Sequence, residues 1–358
     1  MKRNVLICGA SIAGPALAHW LHRAGFAVTV VERADQLRDG GYPIDIRGTA
    51  VEVVRRMGIL PRLREAHLDT RRATFLDAGG AEVAVVDAHA VAGSVAGHDL
   101  EVRRGDLAES LYALVRDDVE FLFGDSVATL EQTGDGVDVT FHGGGQRTFD
   151  LVIGAEGVHS RTREMLFGPE ERFSRYLGYC YAIFTVPDTF GLDREILMWN
   201  TPGRAVALYA TRGRAELQAF LAFHCPEQPA RVTPDLVADV FAGAGWEVPA
   251  LVEAMRAAAE PSRPGTADER LFADTVGQIR MPRWSSGRVA LAGDAAYAPS
   301  FLTGQGSSLA LAGAYVLAHA LATQPGHRAG FAAYERNLRG YVGVNQALVD
   351  RGGATLFP

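Results

Sequence analysis

Gly9, Ser11 and Gly14 stand in a Gly-x-Ser-x-x-Gly spacing, and Glu32 follows 18 positions after the last of them (32 − 14). Together these residue types suit the holding of a dinucleotide. The first glycine allows a tight turn, and a small second residue admits a pyrophosphate to the backbone. The last glycine lets a helix pack close on its strand. Free N–H groups at the helix start then face the phosphates, and a carboxylate about 20 residues on takes a ribose hydroxyl. Ile12 and Ala13 complete the turn and Arg33 follows the carboxylate, so they join Gly9, Ser11, Gly14 and Glu32 as candidate cofactor contacts.

Such a turn works only when the right elements flank it, and the sequence supplies them. The apolar run Val5 to Cys8 reads as a buried parallel strand. Ala13, Leu17, Leu21 and Ala24 repeat at helical spacing up to a stop at Gly25, and Pro15 sits in the first turn, where its missing N–H costs little. Val28 to Val31 is a second buried run ending in Glu32. Strand, turn, helix, strand and carboxylate thus form one unit.

At 358 residues the chain is long enough for about two domains. A net charge of −7 gives no reason to expect nucleic-acid binding. No apolar run is long enough to span a membrane, and Met1-Lys-Arg-Asn runs straight into the first strand, which points to a cytoplasmic protein without a signal peptide. Cys8, Cys180 and Cys225 are far apart, odd in number and in no metal spacing, as expected of free thiols. Lysine occurs once, at Lys2, which excludes a P-loop and a pyridoxal Schiff base. His19 and His22 are too few for a metal site. His142-Gly-Gly-Gly145 resembles an esterase oxyanion string, but it follows Ser11 by 131 positions (142 − 11), and a hydrolase needs that loop before its nucleophile.

Along the chain, residues 39–48 read as a glycine-rich loop leading to an extended piece, and 49–57 as a helix. A hairpin over 73–86 follows, then a helix over 104–116. The stretches 121–127, 136–141 and 148–153 read as strands. Asp150 to Glu156 is another buried strand ending in glycines and a carboxylate. From Tyr176 to Cys225 the strands become aromatic, and they read as an antiparallel sheet. Helical stretches over 235–263, 306–322 and 330–351 complete the chain, with Gly287 to Asp294 a third apolar strand running into Gly-Asp. Strand alternation sends about half of Tyr179, Tyr181, Phe184, Trp199, Tyr209, Phe220 and Phe223 to a pocket and half to the core. Tyr179, Tyr181, Met198, Tyr209, Phe220 and Phe301 are the substrate-pocket candidates, with His224 beside them.

Three stretches in order, Gly9-x-Ser11-x-x-Gly14, Gly154-Ala-Glu156-Gly157 and Gly293-Asp294 with Pro299 and Gly304-Gln-Gly306, resemble the single-component FAD-dependent monooxygenases of the aromatic-hydroxylase type. Within that group the wording Gly-Ala-Ser-Ile-Ala-Gly-Pro is similar to the tetracycline-modifying flavin monooxygenases. The resemblance implies an α/β fold: a Rossmann-like FAD-binding domain over 1–70, 98–172 and 276–358, and a smaller antiparallel β-sheet substrate domain over 71–97 and 173–275, with C-terminal helices. It also implies roles. Gly9, Ser11 and Gly14 hold the pyrophosphate and Glu32 the adenosine ribose. Gly293 and Asp294 take the ribityl chain, and Pro299, Gly304, Gly306 and Ser307 turn toward the flavin pyrimidine. The helix dipole there favours negative charge on reduced flavin by ~0.5–2 kcal/mol. Asp45, Arg47, Arg104, Val127 and Glu156 are further cofactor contacts, and Arg38 is a weaker one. Glu156 stands where the family usually has Asp, and the chain ends at Pro358, earlier than such enzymes commonly do.

The implied activity is hydroxylation of an aromatic or polycyclic, polyketide- or antibiotic-like, small molecule. NADPH or NADH reduces non-covalent FAD, O2 adds at flavin C4a, and the hydroperoxide delivers one oxygen atom. No protein nucleophile or metal is needed. Only one complete dinucleotide unit is visible, so the nicotinamide visits without a domain of its own. A flavin dehydrogenase or reductase is the alternative enzyme, and a redox-inert FAD- or ligand-binding protein the alternative of another class. A halogenase is disfavoured because no Trp-x-Trp pair occurs. The expected partners are the aromatic substrate and O2, with no nucleic acid or membrane, in a monomer or homodimer.

Overall fold

A computed structural model of the protein describes residues 3–37, 41–210, 213, 215–260 and 270–351, so Arg38 lies outside the described residues. The chain divides into two compact units, Met1–His67 with His98–Arg175 and Gly277–Arg351, and Leu68–Gly97 with Tyr176–Val276.

The first unit is built on a six-stranded sheet. Its order is Ser285–Ser286, Val289–Leu291, Leu151–Gly154, Asn4–Cys8, Ala27–Glu32 and Glu120–Phe123, parallel throughout except for the first pair. Its central strands are apolar on both sides because both faces are covered. Val5, Ile7, Val28, Val30, Leu151 and Ile153 pack under helices, among them Ala13–Arg23 and Gly306–Thr323. Leu6, Cys8, Val31, Val152 and Val289 pack instead on a three-stranded antiparallel sheet, Val127–Gln132, Val137–Phe141 and Gln146–Phe149. The helix Gly306–Thr323 is long and apolar enough to cross a membrane, yet 61% of it is buried inside the protein. Its apolarity serves the core.

Two stretches read as single strands are each divided between sheets. Residues 121–127 break at Gly124 (φ +71°), so that Glu120–Phe123 and Val127–Gln132 join different sheets. Residues 148–153 break at Asp150, whose N–H donates to Asn4 Oδ1 at 2.7 Å while its Oδ2 accepts the Asn4 N–H at 2.7 Å. An apolar run shows burial but not which partner buries it, and here the partner changes mid-run. The last helix also begins earlier than expected and ends sooner, over His327–Gln346, with a short helical turn at Val349–Arg351.

The second unit is built on a seven-stranded sheet in the order Leu271–Ile279, Ser174–Pro187, Glu216–His224, Arg204–Ala210, Glu195–Thr201, Arg72–Leu76 and Glu82–Asp87. The aromatic strands pair antiparallel, but Glu195–Thr201 runs parallel to Arg72–Leu76, so the sheet is mixed where the sequence suggested a purely antiparallel one. The helical stretch expected over 235–263 is two helices, Pro234–Val240 and Val248–Ala259, and 261–263 lie outside the described residues. Thr233 caps the first by accepting the Leu236 N–H at 3.2 Å. Both helices cover one face of the sheet, burying Cys180, Phe184, Trp199, Leu221 and Phe223 with Val237, Leu251 and Met255.

Candidate functional site

The turn after the first strand is shaped by close backbone approach. Gly9 has φ +106°, and a Cβ on Gly14 would lie 1.9 Å from the Gly9 carbonyl oxygen, so only glycine fits there. Glu32, at the end of the neighbouring strand, accepts the Ala10 N–H at 2.8 Å and the Ala34 N–H at 3.0 Å. The Ser11 hydroxyl accepts from Arg104 Nη1 at 2.9 Å, which brings the start of the helix Arg104–Ala113 to the turn. Gly41 leaves room for that arginine: a Cβ there would be 3.3 Å from Arg104 Cβ.

From the turn the candidate residues continue as an arc. Gly293 faces Ala13, since a Cβ on it would meet the Ala13 methyl at 2.9 Å. Asp294 opens the short helix Asp294–Tyr297 and has Gly306 beside it, a Cβ there falling 3.9 Å from its Oδ1. Among the described residues its carboxylate makes no side-chain hydrogen bond, and burial pushes its pKa up to about 6. Gly304 (φ +62°) sits over the ion pair of Asp45 and Arg47, with a hypothetical Cβ 3.0 Å from Asp45 Oδ2 and 3.2 Å from Arg47 Cζ. Arg47 Nη2 donates to Asp45 Oδ2 at 2.7 Å. Burial nevertheless lifts Asp45 to about 6, outweighing the opposing pull of Arg47.

Two helices begin on this arc, Ala13–Arg23 and Gly306–Thr323, and neither start is capped by a side chain. Elsewhere Ser160, Thr233 and Asp87 cap their helices. Uncapped first turns present N–H groups and a positive dipole end to an anion. Two uncapped helix starts, a glycine turn, a buried carboxylate able to accept from hydroxyls and an arginine fit FAD. Pyrophosphate, ribityl hydroxyls and the pyrimidine edge each find a suitable group.

Other candidates lie apart from these contacts. Val127 is buried under the opposite face of the sheet. Glu156 turns back onto the helix Arg161–Phe167, where its carboxylate accepts the Ser160 hydroxyl at 2.6 Å, the Thr162 N–H at 3.0 Å and the Thr162 hydroxyl at 2.8 Å. Burial raises its pKa, opposed by those bonds. Pro299 offers its carbonyl to Gln278 Nε2 at 3.0 Å, Arg33 is exposed, and Ser307 is buried in the first turn of its helix. Phe301 belongs to the short helical turn Phe301–Thr303. Residues that sequence reasoning passed over also support the arc. Ser308 accepts the Arg47 N–H at 2.9 Å, and Ser300 holds an unusual φ of +78° in the turn before Gly304. Arg163 is 1% exposed and donates to the Ala295 and Val158 carbonyls and to Glu170.

In the second unit, strand register sorts the aromatics. Phe184, Trp199 and Phe223 face the helices. Tyr179, Tyr181, Met198, Tyr209 and Phe220 all alternate to the other face, because neighbours in the ladder share a side. Tyr181 and Phe220 stack there with ring centroids 5.6 Å apart, and Tyr179 meets His224 edge-on at 5.5 Å. Gln218 and Thr185 add a polar pair, joined at 2.8 Å. This face is apolar, aromatic and suited to a flat molecule.

Comparison with known proteins gives the family and the fold. Residues 2–337 match the family described as FAD binding domain. An uncharacterized protein of Mycobacterium tuberculosis is 42% identical over 99% of this chain and 95% of its own length. A flavin-dependent monooxygenase of Legionella longbeachae is 33% identical over 97% of this chain and 88% of its own. Among solved structures, the tetracycline destructase Tet(55) superposes with a TM-score of 0.85 at 33% identity, over 97% of this chain and 88% of that one.

Proposed function

This chain belongs to the FAD binding domain family and is an FAD-dependent monooxygenase, and from that premise we infer that it hydroxylates a planar aromatic or polycyclic small molecule at the expense of NADH or NADPH. The observation that carries the substrate class is the single-sided placement of Tyr179, Tyr181, Met198, Tyr209 and Phe220. A flat hydrophobic substrate buries most of its area on such a face, and the apolar surroundings keep water away from the reacting atoms. The likeness to a tetracycline destructase supports the same class.

In this reading the first unit holds the cofactor and the second the substrate. Bound FAD, once reduced, supplies the activation of O2 and the transfer of one oxygen atom. The chain's own residues bind and orient. The amides around Ser11 and the Arg104 guanidinium hold the pyrophosphate, Glu32 the ribose and Asp294 a ribityl hydroxyl. The amides after Gly304 lie against the pyrimidine, where the helix Gly306–Thr323 favours negative charge. No side chain is required to act as nucleophile. We further infer a cytoplasmic monomer or homodimer with a place in secondary metabolism.

A panel of aromatic polyketides and phenols tests this reading through NADPH oxidation. At least one flat substrate is expected to accelerate consumption over the substrate-free rate. Uniform rates across the panel, with no product, would favour a dehydrogenase of other substrates or a binding protein.

A further inference from the structure

Cys180 and Cys225 are 45 positions apart (225 − 180), and nothing in their spacing pairs them. The fold does. The strands Ser174–Pro187 and Glu216–His224 are antiparallel neighbours, with Tyr179 opposite His224 and Cys180 opposite Phe223. The ladder continues one step further, where the Cys225 N–H donates to the Gly178 carbonyl at 2.8 Å. Cys225 therefore falls opposite Gly178, two positions from Cys180 and on the same side of the sheet. Gly178 contributes no side chain beside it. The two side chains are diagonal neighbours across this pair of strands. The Tyr176 hydroxyl links the two residues: it donates to the Cys225 backbone carbonyl and lies 3.6 Å from Cys180 Sγ. Cys180 is fully buried, whereas Cys225 is partly exposed and its thiol donates to the Glu227 carbonyl at 3.1 Å.

We propose that Cys180 and Cys225 are a reversible oxidation site, forming an intramolecular disulfide when the protein meets hydrogen peroxide. The exposed partner reacts first. The Cys225 sulfur attacks one peroxide oxygen, the O–O bond breaks, and sulfenic acid and one water result. The Cys180 sulfur then attacks the Cys225 sulfur, the S–O bond breaks and the S–S bond forms, and the thiol proton leaves with the departing hydroxide as a second water. Two thiols lose two electrons and two protons, and one peroxide becomes two waters. Burial pushes the Cys180 thiol up to about 12, which keeps it from reacting first. The bridge fastens the strand ends that carry the Tyr179–His224 ring pair on the opposite face.

The test uses the full-length wild-type protein, treated with hydrogen peroxide, denatured with an alkylating agent and mapped by mass spectrometry without reduction. Two of the three thiols are expected to disappear. A linked peptide pair containing Cys180 and Cys225 should appear, lighter by two hydrogens than the separate peptides, while Cys8 is alkylated. Dithiothreitol should restore all three thiols, and Cys225→Ser should leave Cys180 fully alkylated after the same treatment. Retention of all three thiols in the wild type, sulfinic acid at Cys225 beside an intact Cys180 thiol, or a bridge joining two chains would each overturn the proposal.

Discussion

The Arg104 guanidinium donates to the Ser11 hydroxyl at 2.9 Å, across 93 positions of the chain. One residue opens a helix and the other sits in the first glycine turn, so the contact places a fixed positive charge at the proposed pyrophosphate site. Arg104→Ala is expected to weaken FAD binding about 10- to 100-fold, the range of a hydrogen bond to a charged group, and to leave the fold intact. Flavin fluorescence titration of the apoprotein measures it, and an unchanged dissociation constant would remove Arg104 from the cofactor site.

Gly14 makes a sharper demand. The oxygen 1.9 Å from its hypothetical Cβ belongs to the backbone of Gly9 and cannot swing aside. Gly14→Val should yield colourless protein that takes up no added FAD, with a lowered melting temperature. A yellow, stoichiometrically loaded variant would show that the helix can shift without loss.

Asp45 and Asp294 give the apoprotein a pH signature. Both have a folded-state pKa raised from 3.8 to about 6, chiefly by burial. Between those values the folded state binds more protons than the unfolded one, so stability falls as pH rises from about 4 to about 6 and then levels off. Each group accounts for roughly 1–3 kcal/mol of that fall. Asp294→Asn should flatten part of the slope in chemical denaturation of the apoprotein. An equal slope in the variant would mean that Asp294 does not titrate in this window.

Much of the arc was legible because its signals are local. A glycine turn, a carboxylate at the end of a strand and a Gly-Asp step occupy a few neighbouring positions each, and steric need dictates their residue types. The face of the aromatic sheet was half legible. Alternation announces two sides on each strand, but only the register, with Thr185 opposite Gln218 and Gln218 opposite Tyr209, shows that Tyr209 joins Tyr179. What depends on pairing over distance was not legible at all. The meeting of Cys180 with Cys225 is of this kind, as is the buried phenol pair Tyr297 and Tyr334, 3.0 Å apart across 37 positions. The break at Asp150 is another, for it depends on Asn4, which stands on the neighbouring strand but 146 positions away in the chain.

Two phenylalanines on one strand separate stability from recognition. Phe223 is 1% exposed among the helix-facing core, so Phe223→Ala should cost about 3–5 kcal/mol in urea denaturation. Phe220 lies on the opposite face, stacked on Tyr181. Phe220→Ala should cost less stability and raise KM for the aromatic substrate several-fold. Reversed effects would place the substrate on the other side of the sheet.

Oxygen transfer is the central claim, and isotope labelling tests it most directly. With 18O2, NADPH and a substrate that accelerates NADPH consumption, the product is expected to gain a single labelled oxygen atom, and none from labelled water. Product formed equally well without O2, or carrying oxygen from water, would contradict the assignment and make the protein a dehydrogenase on the same fold.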